Sequence, residues 1–284
     1  MALPIGGTDA FRRLSGGFDA LTDGRFSRWV TTAGAEEISE RFTAPALMFL
    51  WGALCAGCAE AAWGPPSAAG GYSLGFYAAA VSARCLTLQT VLGWLDRVNA
   101  ANARTCTPGR FALASVTGLS EADLRGMLLR WDLGEVEIAN VNTARQVVVA
   151  GPASQVRDAL GRLEGKVLEA RELALDVPLH TPHVLPASQA VADWWQAVPC
   201  AAPAFSLISP VDGGAIRGGP AFKRSMLESL TSPTRFPEVV RGVAAARPER
   251  VIDLSPGGEL ARMAAWVDRD LRVLPLQTLW DALT

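Results

Sequence analysis

The order of periodic segments between residues 109 and 177 constrains the fold more than any other feature of the sequence. Strand-like runs there alternate apolar and polar residues, whereas helix-like runs repeat apolar residues with a helical period. The segments follow in the order strand, helix, strand, strand, helix, strand: FALASVTG, SEADLRGMLLRW, VEIANVN, QVVVAGP, ASQVRDALGRLEG and VLEARELAL. The order β-α-β-β-α-β is typical of ferredoxin-like domains. The sequence therefore predicts a small ferredoxin-like domain over 109–177.

The segments on either side of this stretch predict a second, larger α/β domain. Helical segments there alternate with short apolar strands, both before residue 109 and after residue 177. The length allows this, because 284 residues are enough for one or two domains with a substantial core. We therefore expect the small domain to be inserted into a large α/β domain made of 1–108 and 178–284.

Composition and charge exclude several classes of partner. The 28 acidic and 26 basic residues give a net charge of −2, and the basic residues are scattered. Nucleic-acid and membrane-surface partners are therefore not expected. Five cysteines are an odd number, which favours a reducing cytoplasm over a disulfide framework. The first residues, MALPIGGTDAF, lack the basic and apolar segments of a signal peptide, so a cytoplasmic location is expected.

The longest apolar region, 44–63, predicts a buried helix rather than a membrane span. A proline, two glycines and a glutamate interrupt its apolar sequence. Cys55 and Cys58 form a C-x-x-C pair within it, but no second pair accompanies them. We interpret these two cysteines as small apolar residues on a packed helix face.

The stretch Gly71-Tyr72-Ser73-Leu74-Gly75 matches the pattern G-x-S-x-G. The short run SAAGGYS before it is strand-like, and LGFYAAAVSARC after it has helical spacing. In this strand–turn–helix setting the pattern can expose a serine hydroxyl as a nucleophile. The alternative is that two glycines and a serine simply fill a turn, because G-x-S-x-G is a common chance match.

The histidines limit which residue could activate Ser73. A serine hydroxyl is a weak nucleophile until a neighbouring base takes its proton, and histidine is the usual base at neutral pH. The chain contains only His180 and His183, both in PLHTPHV, so the base would be one of these two. The alternatives are two surface histidines or a metal-binding pair, although no third metal ligand is evident in the pattern.

Backbone N–H groups could stabilise the oxyanion that a serine attack would create. The N–H of Leu74 lies at the start of the helix after Ser73, where such donors point outward. The paired glycines in LPIGGTD, residues 3–9, could bring a second donor close.

Six motifs in the correct order resemble the malonyl-CoA:acyl carrier protein transacylase family, which includes the acyltransferase domains of polyketide synthases. The likeness extends over nearly the whole chain, and it is therefore far more specific than G-x-S-x-G alone. The segments that carry it are TAPALMF, GYSLGFYAA, ANVNTARQVVVAG, VPLHTPHV, ESLTSPTRF and VIDLSPGGEL.

The resemblance implies an α/β fold in which an α/β hydrolase-like large domain carries a ferredoxin-like insertion. It implies a catalytic dyad of Ser73 and His180, with the imidazole oriented by the backbone carbonyl of Ser229. It also places Asn140 and Asn142 on the paired asparagines that the family has near its cleft.

The reaction implied by the resemblance is a two-step acyl transfer. Ser73 would take an acyl group from the thioester of coenzyme A or of a phosphopantetheine, and a second thiol would then receive it. The expected partner is an acyl carrier protein. The chain would need no bound cofactor or metal, because the substrate itself carries the pantetheine arm.

Several positions differ from the family pattern. Tyr72 stands where the family has histidine, Phe76 where it has glutamate, and His183 where it usually has an apolar residue. Gly6 replaces the glutamine whose backbone N–H serves the oxyanion hole, a role that glycine can still fill. We expect Tyr72 and Phe76 to line the substrate pocket.

The acyl group itself is predicted from Val98. Malonyl-type members hold the free carboxylate of their substrate with an arginine, and the matching position in this chain is Val98. Valine cannot pair with a carboxylate, whereas an unpaired buried carboxylate would cost on the order of several kcal/mol. A one-residue bulge could bring Arg97 into this place. We favour an acyl group without a free carboxylate, with Leu179 adding apolar surface.

Two other functions remain open from the sequence. An acyl-thioester hydrolase would use the same dyad, with water instead of a thiol resolving the acyl-enzyme. A non-catalytic relative is a further alternative. The presence of Ser73 together with His180 in a chain with two histidines argues against it.

Overall fold

The structure is a computed structural model that describes residues 16–31 and 43–283. A helical stretch over 16–21 and helix α1 (Arg25–Thr31) are followed, after the gap, by the long helix α2 (Thr43–Trp63). Pro45 lies in the first turn of α2, where the missing N–H is not needed for an intrahelical hydrogen bond. The helix ends at the break made by Gly64, whose φ is +82°.

Helix α2 is a core helix that also has the length and composition to cross a membrane. Within the described residues, one helix meets this criterion of length and composition, and it is α2. The criterion is weak evidence for a membrane span, because core helices of other proteins also satisfy it. Cys55 and Cys58 have no exposed surface, as expected for residues on a packed face. The side chains that α2 buries are Thr43, Ala46, Phe49, Leu50, Trp51, Leu54, Cys55 and Cys58.

The predicted strand, turn and helix around Ser73 are present, with a shorter strand than the sequence suggested. Strand β1 (Ala68–Ala69) runs into the turn, helix α3 (Leu74–Ser82) leaves it, and helix α4 (Leu88–Thr105) follows. Thr87 caps α4 by accepting a hydrogen bond from the Thr90 N–H at 3.1 Å. Helix α3 packs on α2, so the nucleophile turn is held against the core of the protein.

The segment from 111 to 172, here called the small unit, has the predicted element order. It consists of β2 (Phe111–Thr117), α5 (Glu121–Arg130), β3 (Glu137–Thr143), β4 (Gln146–Pro152), α6 (Ala153–Leu163) and β5 (Glu169–Glu172). The strands lie in the order β5-β2-β4-β3, and each neighbouring pair is antiparallel. Apolar side chains of one sheet face pack with those of α5 and α6 into a separate core.

The rest of the chain, here called the large unit, contributes the elements after residue 172. These are a 3₁₀ turn (Pro182–Val184), α7 (Leu185–Ala197), β6 (Ser206–Leu207), α8 (Gly218–Thr231), β7 (Thr234–Arg235), α9 (Phe236–Ala245), β8 (Val251–Ile252), α10 (Glu259–Val267), β9 (Val273–Leu274) and α11 (Gln277–Leu283). β1 pairs in parallel with β6, and β8 with β9. The fold is therefore mixed α/β.

Three features of the large unit differ from the sequence-based expectation. The short apolar strands expected after residue 177 are reduced to two residues each, as in β6 and β8. Strands β7 and β9 were not predicted, because two-residue strands carry no readable alternation. Helix α11 was not predicted either. β7 pairs with β3 in parallel and so adds a fifth strand to the sheet of the small unit.

The small and large units are joined by polar contacts as well as by the sheet. Arg235, at the end of β7, donates two hydrogen bonds to the carboxylate of Glu121 at 2.7 and 3.0 Å. This ion pair holds the pKa of Glu121 below its usual range, first through the hydrogen bond from Arg235. The domain limits inferred from the sequence stay a prediction.

Candidate active site

The nucleophile turn forces Ser73 into a backbone conformation that few side chains adopt. Ser73 has φ +49° and ψ −114°, outside the regions that L-residues prefer. A Cβ atom on Gly71 would lie 2.0 Å from the backbone carbon of Gly75 and 2.1 Å from the nitrogen of Phe76. The first glycine of the motif is therefore required by the tight turn. A Cβ on Gly75 would meet nothing within 4 Å.

The start of α3 places the backbone N–H of Leu74 next to Ser73 in the chain. Ser73 is the N-cap residue of α3, but its side chain makes no capping hydrogen bond. The N–H of Leu74, the first helical residue, has no acceptor within the helix and lies at the positive end of the helix dipole. Leu74 is thus the first residue of α3, and its role as an oxyanion donor stays a prediction. Gly6, the second predicted donor, lies outside the described residues.

Ser73 and His180 are brought together across 107 residues of sequence. The Ser73 Oγ lies 2.9 Å from the His180 Nε2, and the His180 Nδ1 lies 2.5 Å from the carbonyl oxygen of Ser229. A carbonyl only accepts, so Nδ1 carries the proton and donates to Ser229. Nε2 is then free to accept the Ser73 hydroxyl proton, which is the arrangement that a general base requires.

The end of helix α8 holds His180 in place. The last four carbonyls of an α-helix lack intrahelical partners, and those of Ser229 and Leu230 belong to this group. The His180 side chain uses the first, and the His180 backbone N–H donates to the second at 2.7 Å. The residue itself has φ +64°, and the hydroxyl of Thr181 secures the turn by donating to the Pro178 carbonyl at 2.6 Å.

Burial sets the charge state of His180. The residue is 8% exposed, and burial lowers the pKa of its imidazole below the ordinary value of 6.5, while the hydrogen bond to Ser229 opposes this shift. The neutral form therefore prevails at neutral pH. That is the form that can accept a proton from Ser73.

His183 has a different position from His180. Its Nε2 donates to the carbonyl oxygen of Glu135 at 2.8 Å, and its ring lies 5.2 Å from that of Phe111. It therefore contacts the small unit, and His180 is the histidine that meets Ser73. No group of three potential metal-ligating side chains comes together within 16–31 and 43–283.

Tyr72 links the nucleophile turn to the small unit. Its hydroxyl donates to the Asn142 Oδ1 at 2.8 Å, and its ring stacks edge-on against Phe236 at 6.0 Å. Asn140 and Asn142 are both buried on strand β3. Burial raises the pKa of the Tyr72 phenol well above its usual value, so the hydroxyl stays protonated and can donate.

The predicted pocket residues on the large unit differ in how deeply they are buried. Phe76 has no exposed surface and packs against Phe222, so it is a core residue and the expectation that it lines the pocket is corrected. Val98 lies in the same core with 8% of its surface exposed, and Leu179 packs against that core while half-buried. Arg97 is exposed, and its guanidinium lies 4.5 Å from the centre of the Trp194 ring.

The structure does not contain the one-residue bulge that would bring Arg97 into the position of Val98. Helix α4 runs without interruption through both residues, so adjacent side chains point about 100° apart. Val98 accordingly faces the core while Arg97 faces Trp194 on α7.

Comparison with known proteins decides the family. Residues 34–268 match the family described as "Acyl transferase domain". The chain belongs to this family of acyltransferases. The match includes Ser73, His180 and Ser229, so the dyad lies within the acyltransferase region of the chain.

Individual relatives of this acyltransferase are distant. The polyketide biosynthesis protein ThaF of Burkholderia thailandensis is 27% identical over 68% of the chain, but the chain spans only 17% of that protein's length. The malonyl CoA-acyl carrier protein transacylase of Bacillus subtilis is 25% identical over 93% of the chain and 84% of its own length.

Solved structures show the same fold at low identity. A crystal structure of an acyl-carrier-protein S-malonyltransferase from Burkholderia pseudomallei superimposes with a TM-score of 0.89 at 23% identity, covering 96% of this chain and 91% of the other. A malonyl-transacylase in complex with its type II polyketide synthase acyl-carrier protein gives 0.89 at 20% identity, covering 96% and 91%.

Proposed function

We propose that the protein transfers an acyl group from a coenzyme A or carrier-protein thioester to the phosphopantetheine thiol of an acyl carrier protein. The observation that carries the proposal is the contact between the Ser73 hydroxyl and the His180 Nε2, with Nδ1 occupied by the Ser229 carbonyl. The solved relative that is bound to an acyl-carrier protein supports the choice of acceptor.

The first half-reaction acylates Ser73. The Ser73 proton moves to the His180 Nε2 as Oγ attacks the thioester carbonyl carbon. The N–H of Leu74 stabilises the oxyanion, with Gly6 as the proposed second donor. The carbon–sulfur bond then breaks, and the leaving thiolate takes the proton from His180. An acyl ester on Ser73 remains.

The second half-reaction returns the enzyme to its starting state. The acceptor thiol gives its proton to His180, and its sulfur attacks the Ser73 ester. The ester bond breaks, and Ser73 recovers its proton from His180. Each step exchanges a proton between His180 and an oxygen or sulfur atom. We propose that the scheme needs no bound cofactor or metal, because the substrate itself carries the pantetheine arm.

The acyl group that we propose lacks a free carboxylate. Val98 stands where malonyl-type members have a carboxylate-binding arginine, and the neighbouring Arg97 faces Trp194 on the protein exterior. A malonyl carboxylate beside Val98 would lose its hydration without gaining an ion pair, at a cost on the order of several kcal/mol. Acetyl, longer fatty acyl and polyketide-like groups avoid that cost.

We also propose an α/β hydrolase-like large domain that carries a ferredoxin-like small domain. The strand order β5-β2-β4-β3 with two helices on one face supports the second assignment. The turn that carries Ser73 between a strand and a helix supports the first.

Intact-mass measurement of the protein after incubation with a panel of acyl-CoAs tests the proposal. We expect acetyl- or hexanoyl-CoA to add one acyl group and malonyl-CoA to react far more slowly. Ser73→Ala is the matched control and should remain unmodified. Rapid labelling by malonyl-CoA with little labelling by the others would contradict the proposed acyl class.

The fate of the acyl-enzyme separates transfer from hydrolysis. We expect isolated acyl-enzyme to pass its acyl group to a holo acyl carrier protein faster than it releases free acid. A dominant release of free acid in the presence of holo carrier protein would favour the hydrolase alternative. Lack of reaction between Ser73 and a serine-directed fluorophosphonate would favour a non-catalytic relative.

A further inference from the structure

Strand β3 of the small unit is hydrogen-bonded near both of its ends to residues that neighbour the dyad in the sequence. At one end, the hydroxyl of Tyr72, the residue before Ser73, donates to the Asn142 Oδ1 at 2.8 Å. Asn142 is buried and is the last residue but one of β3. The ring of Tyr72 lies edge-on against the buried Phe236 of the large unit. Tyr72 therefore reaches from the nucleophile turn to the small unit while its ring is held by the large unit.

At the other end, a histidine contacts the chain two residues before β3. The Nε2 of His183 lies 2.8 Å from the carbonyl oxygen of Glu135, and Nε2 carries the proton because a carbonyl only accepts. The ring of His183 packs on that of Phe111, the first residue of β2, with the ring centres 5.2 Å apart. His183 lies in the 3₁₀ turn that begins two residues after His180. This turn therefore connects the segment of the base to the small unit.

The acceptor of the His183 bond is fixed by packing within the small unit. A Cβ on Gly151 would lie 2.6 Å from the Glu135 carbonyl oxygen and 3.0 Å from the Cα of Val136, so the chain passes directly over β4 at this glycine. Gly151 itself pairs with Ala112 of β2. The carbonyl that His183 meets therefore moves with the sheet of the small unit.

The two bonds are well separated along the strand. Asn142 lies seven positions after Glu135, which corresponds to about 20 Å of extended chain. Between these points, β7 of the large unit pairs with β3. Bonds at both ends therefore restrain a tilt of β3 about its pairing with β7. The dyad depends on neither bond, since the tight turn holds Ser73 and the end of α8 holds His180.

We propose that Tyr72 and His183 are positioning residues that hold the two ends of β3, and thereby keep the small unit where a pantetheine thioester can reach Ser73. Without these bonds, the small unit would spend part of its time tilted into positions that do not admit the substrate. The apparent affinity then falls with the competent fraction, while the chemistry of the dyad is unchanged. The inference rests on the proposed acylation of Ser73.

Single-turnover acylation of Ser73 in the full chain measures this role, with the acyl-CoA of the panel that labels the wild type fastest. We expect His183→Leu to raise the half-saturating acyl-CoA concentration about three- to tenfold and to keep the maximal rate within about twofold. Labelling by a small fluorophosphonate, which needs only the dyad, should also stay within about twofold.

Two further variants test whether the hydrogen bonds carry the effect. His183→Gln is the matched control, because its side-chain N–H can still donate to the Glu135 carbonyl, and it should bring half-saturation back towards the wild-type value. Tyr72→Phe keeps the ring against Phe236 but removes the bond to Asn142. It should raise the half-saturating concentration about three- to tenfold as well.

Each contrary outcome has one meaning. An unchanged half-saturating concentration in His183→Leu, or an equal rise in His183→Gln, would overturn the positioning role. A large fall in fluorophosphonate labelling of His183→Leu would overturn it too, because His183 would then act on the base. If His183→Leu does not fold, Tyr72→Phe decides, and unchanged half-saturation overturns the proposal. If wild-type Ser73 reacts with neither the fluorophosphonate nor any acyl-CoA, the proposed function fails.

Nitrogen-15 NMR of the histidines gives a readout that does not depend on activity. The chain has two histidines, so His183→Gln assigns both sets of ring signals. At pH 8, we expect the ring proton on Nε2 in His183 and on Nδ1 in His180, which are opposite tautomers. A proton on Nδ1 of His183 would show that the bond to Glu135 is absent, and it would overturn the proposal whether or not Ser73 reacts.

Discussion

Both members of the dyad have a backbone conformation that is unusual for their residue type. Ser73 has φ +49° and His180 has φ +64°, and neither is a glycine. Such a conformation costs on the order of 1–3 kcal/mol per residue and persists only where the surroundings enforce it. At Ser73 the tight turn enforces it. At His180 the carbonyls of Ser229 and Leu230, which accept hydrogen bonds from His180 at the end of α8, do so.

The pH dependence of Ser73 acylation follows from the burial of His180. Because burial lowers the imidazole pKa, the neutral base is still present below pH 6.5. We expect the acylation rate to be constant at neutral pH and to fall by half only below pH 6.5. Stopped-flow labelling of Ser73 across the pH range checks this, with circular dichroism confirming that the fold is intact. A half-maximal rate above pH 7 would contradict it.

The two glycines of the motif should respond differently to substitution. Gly71→Ala would place its Cβ within 2.1 Å of two backbone atoms, so we expect loss of folding or of several kcal/mol of stability. Gly75→Ala meets nothing within 4 Å and lies in helix α3, so it should keep the fold and gain up to about 1 kcal/mol. Thermal unfolding and fluorophosphonate labelling measure both; equal losses would contradict the turn geometry.

At the scale of elements, the ion pair between α5 and β7 is the best-formed polar link between the two units. Arg235 and Glu121 are both only partly exposed, and two hydrogen bonds join them. Arg157 and Glu172 form a similar bidentate pair within the small unit, but this pair is largely exposed to solvent. Burial, not geometry, therefore distinguishes them.

We expect Glu121→Gln to cost about 1 kcal/mol at neutral pH, a figure reduced for partial solvent screening. The folded-state pKa of Glu121 is lowered, so its contribution is present above pH 4.5 and disappears as pH falls through that lowered pKa. Chemical denaturation at pH 7 and at pH 3 measures this difference. Glu172→Gln is the matched control and should show no measurable change. A larger effect for the control would contradict the argument from burial.

At the scale of the whole molecule, the two units are joined by several independent contacts. β7 extends the small-unit sheet, Tyr72 bonds to Asn142, and His183 bonds to the Glu135 carbonyl. The dyad itself lies entirely in the large unit, whereas Asn140 and Asn142 belong to the small one. The contact between Tyr72, next to the nucleophile, and Asn142 therefore requires both units in a defined relative position.

We expect the two units to unfold together, because these contacts would be lost if either unit opened alone. Native-state hydrogen exchange at increasing denaturant should give the same opening midpoint for peptides from β4 and from α4. Arg235→Met should lower both midpoints by the same amount. A lower midpoint for one peptide alone would show independent unfolding.

Much of the local structure could be predicted from the sequence. The six elements of the small unit follow from alternation and helical spacing, because each is long enough to show its period. The turn at Ser73 could be predicted because its glycine requirement is local. Two-residue strands such as β7 could not, since their position depends on a partner strand distant in the chain.

For the site, the sequence by itself narrowed the base of Ser73 to two histidines, because the chain contains no others. The tertiary structure decided between them, since the orphan carbonyls of α8 orient His180 and the Glu135 carbonyl holds His183 elsewhere. It also made Phe76 a core residue. These are contacts between distant segments, and local periodicity carries no information about them.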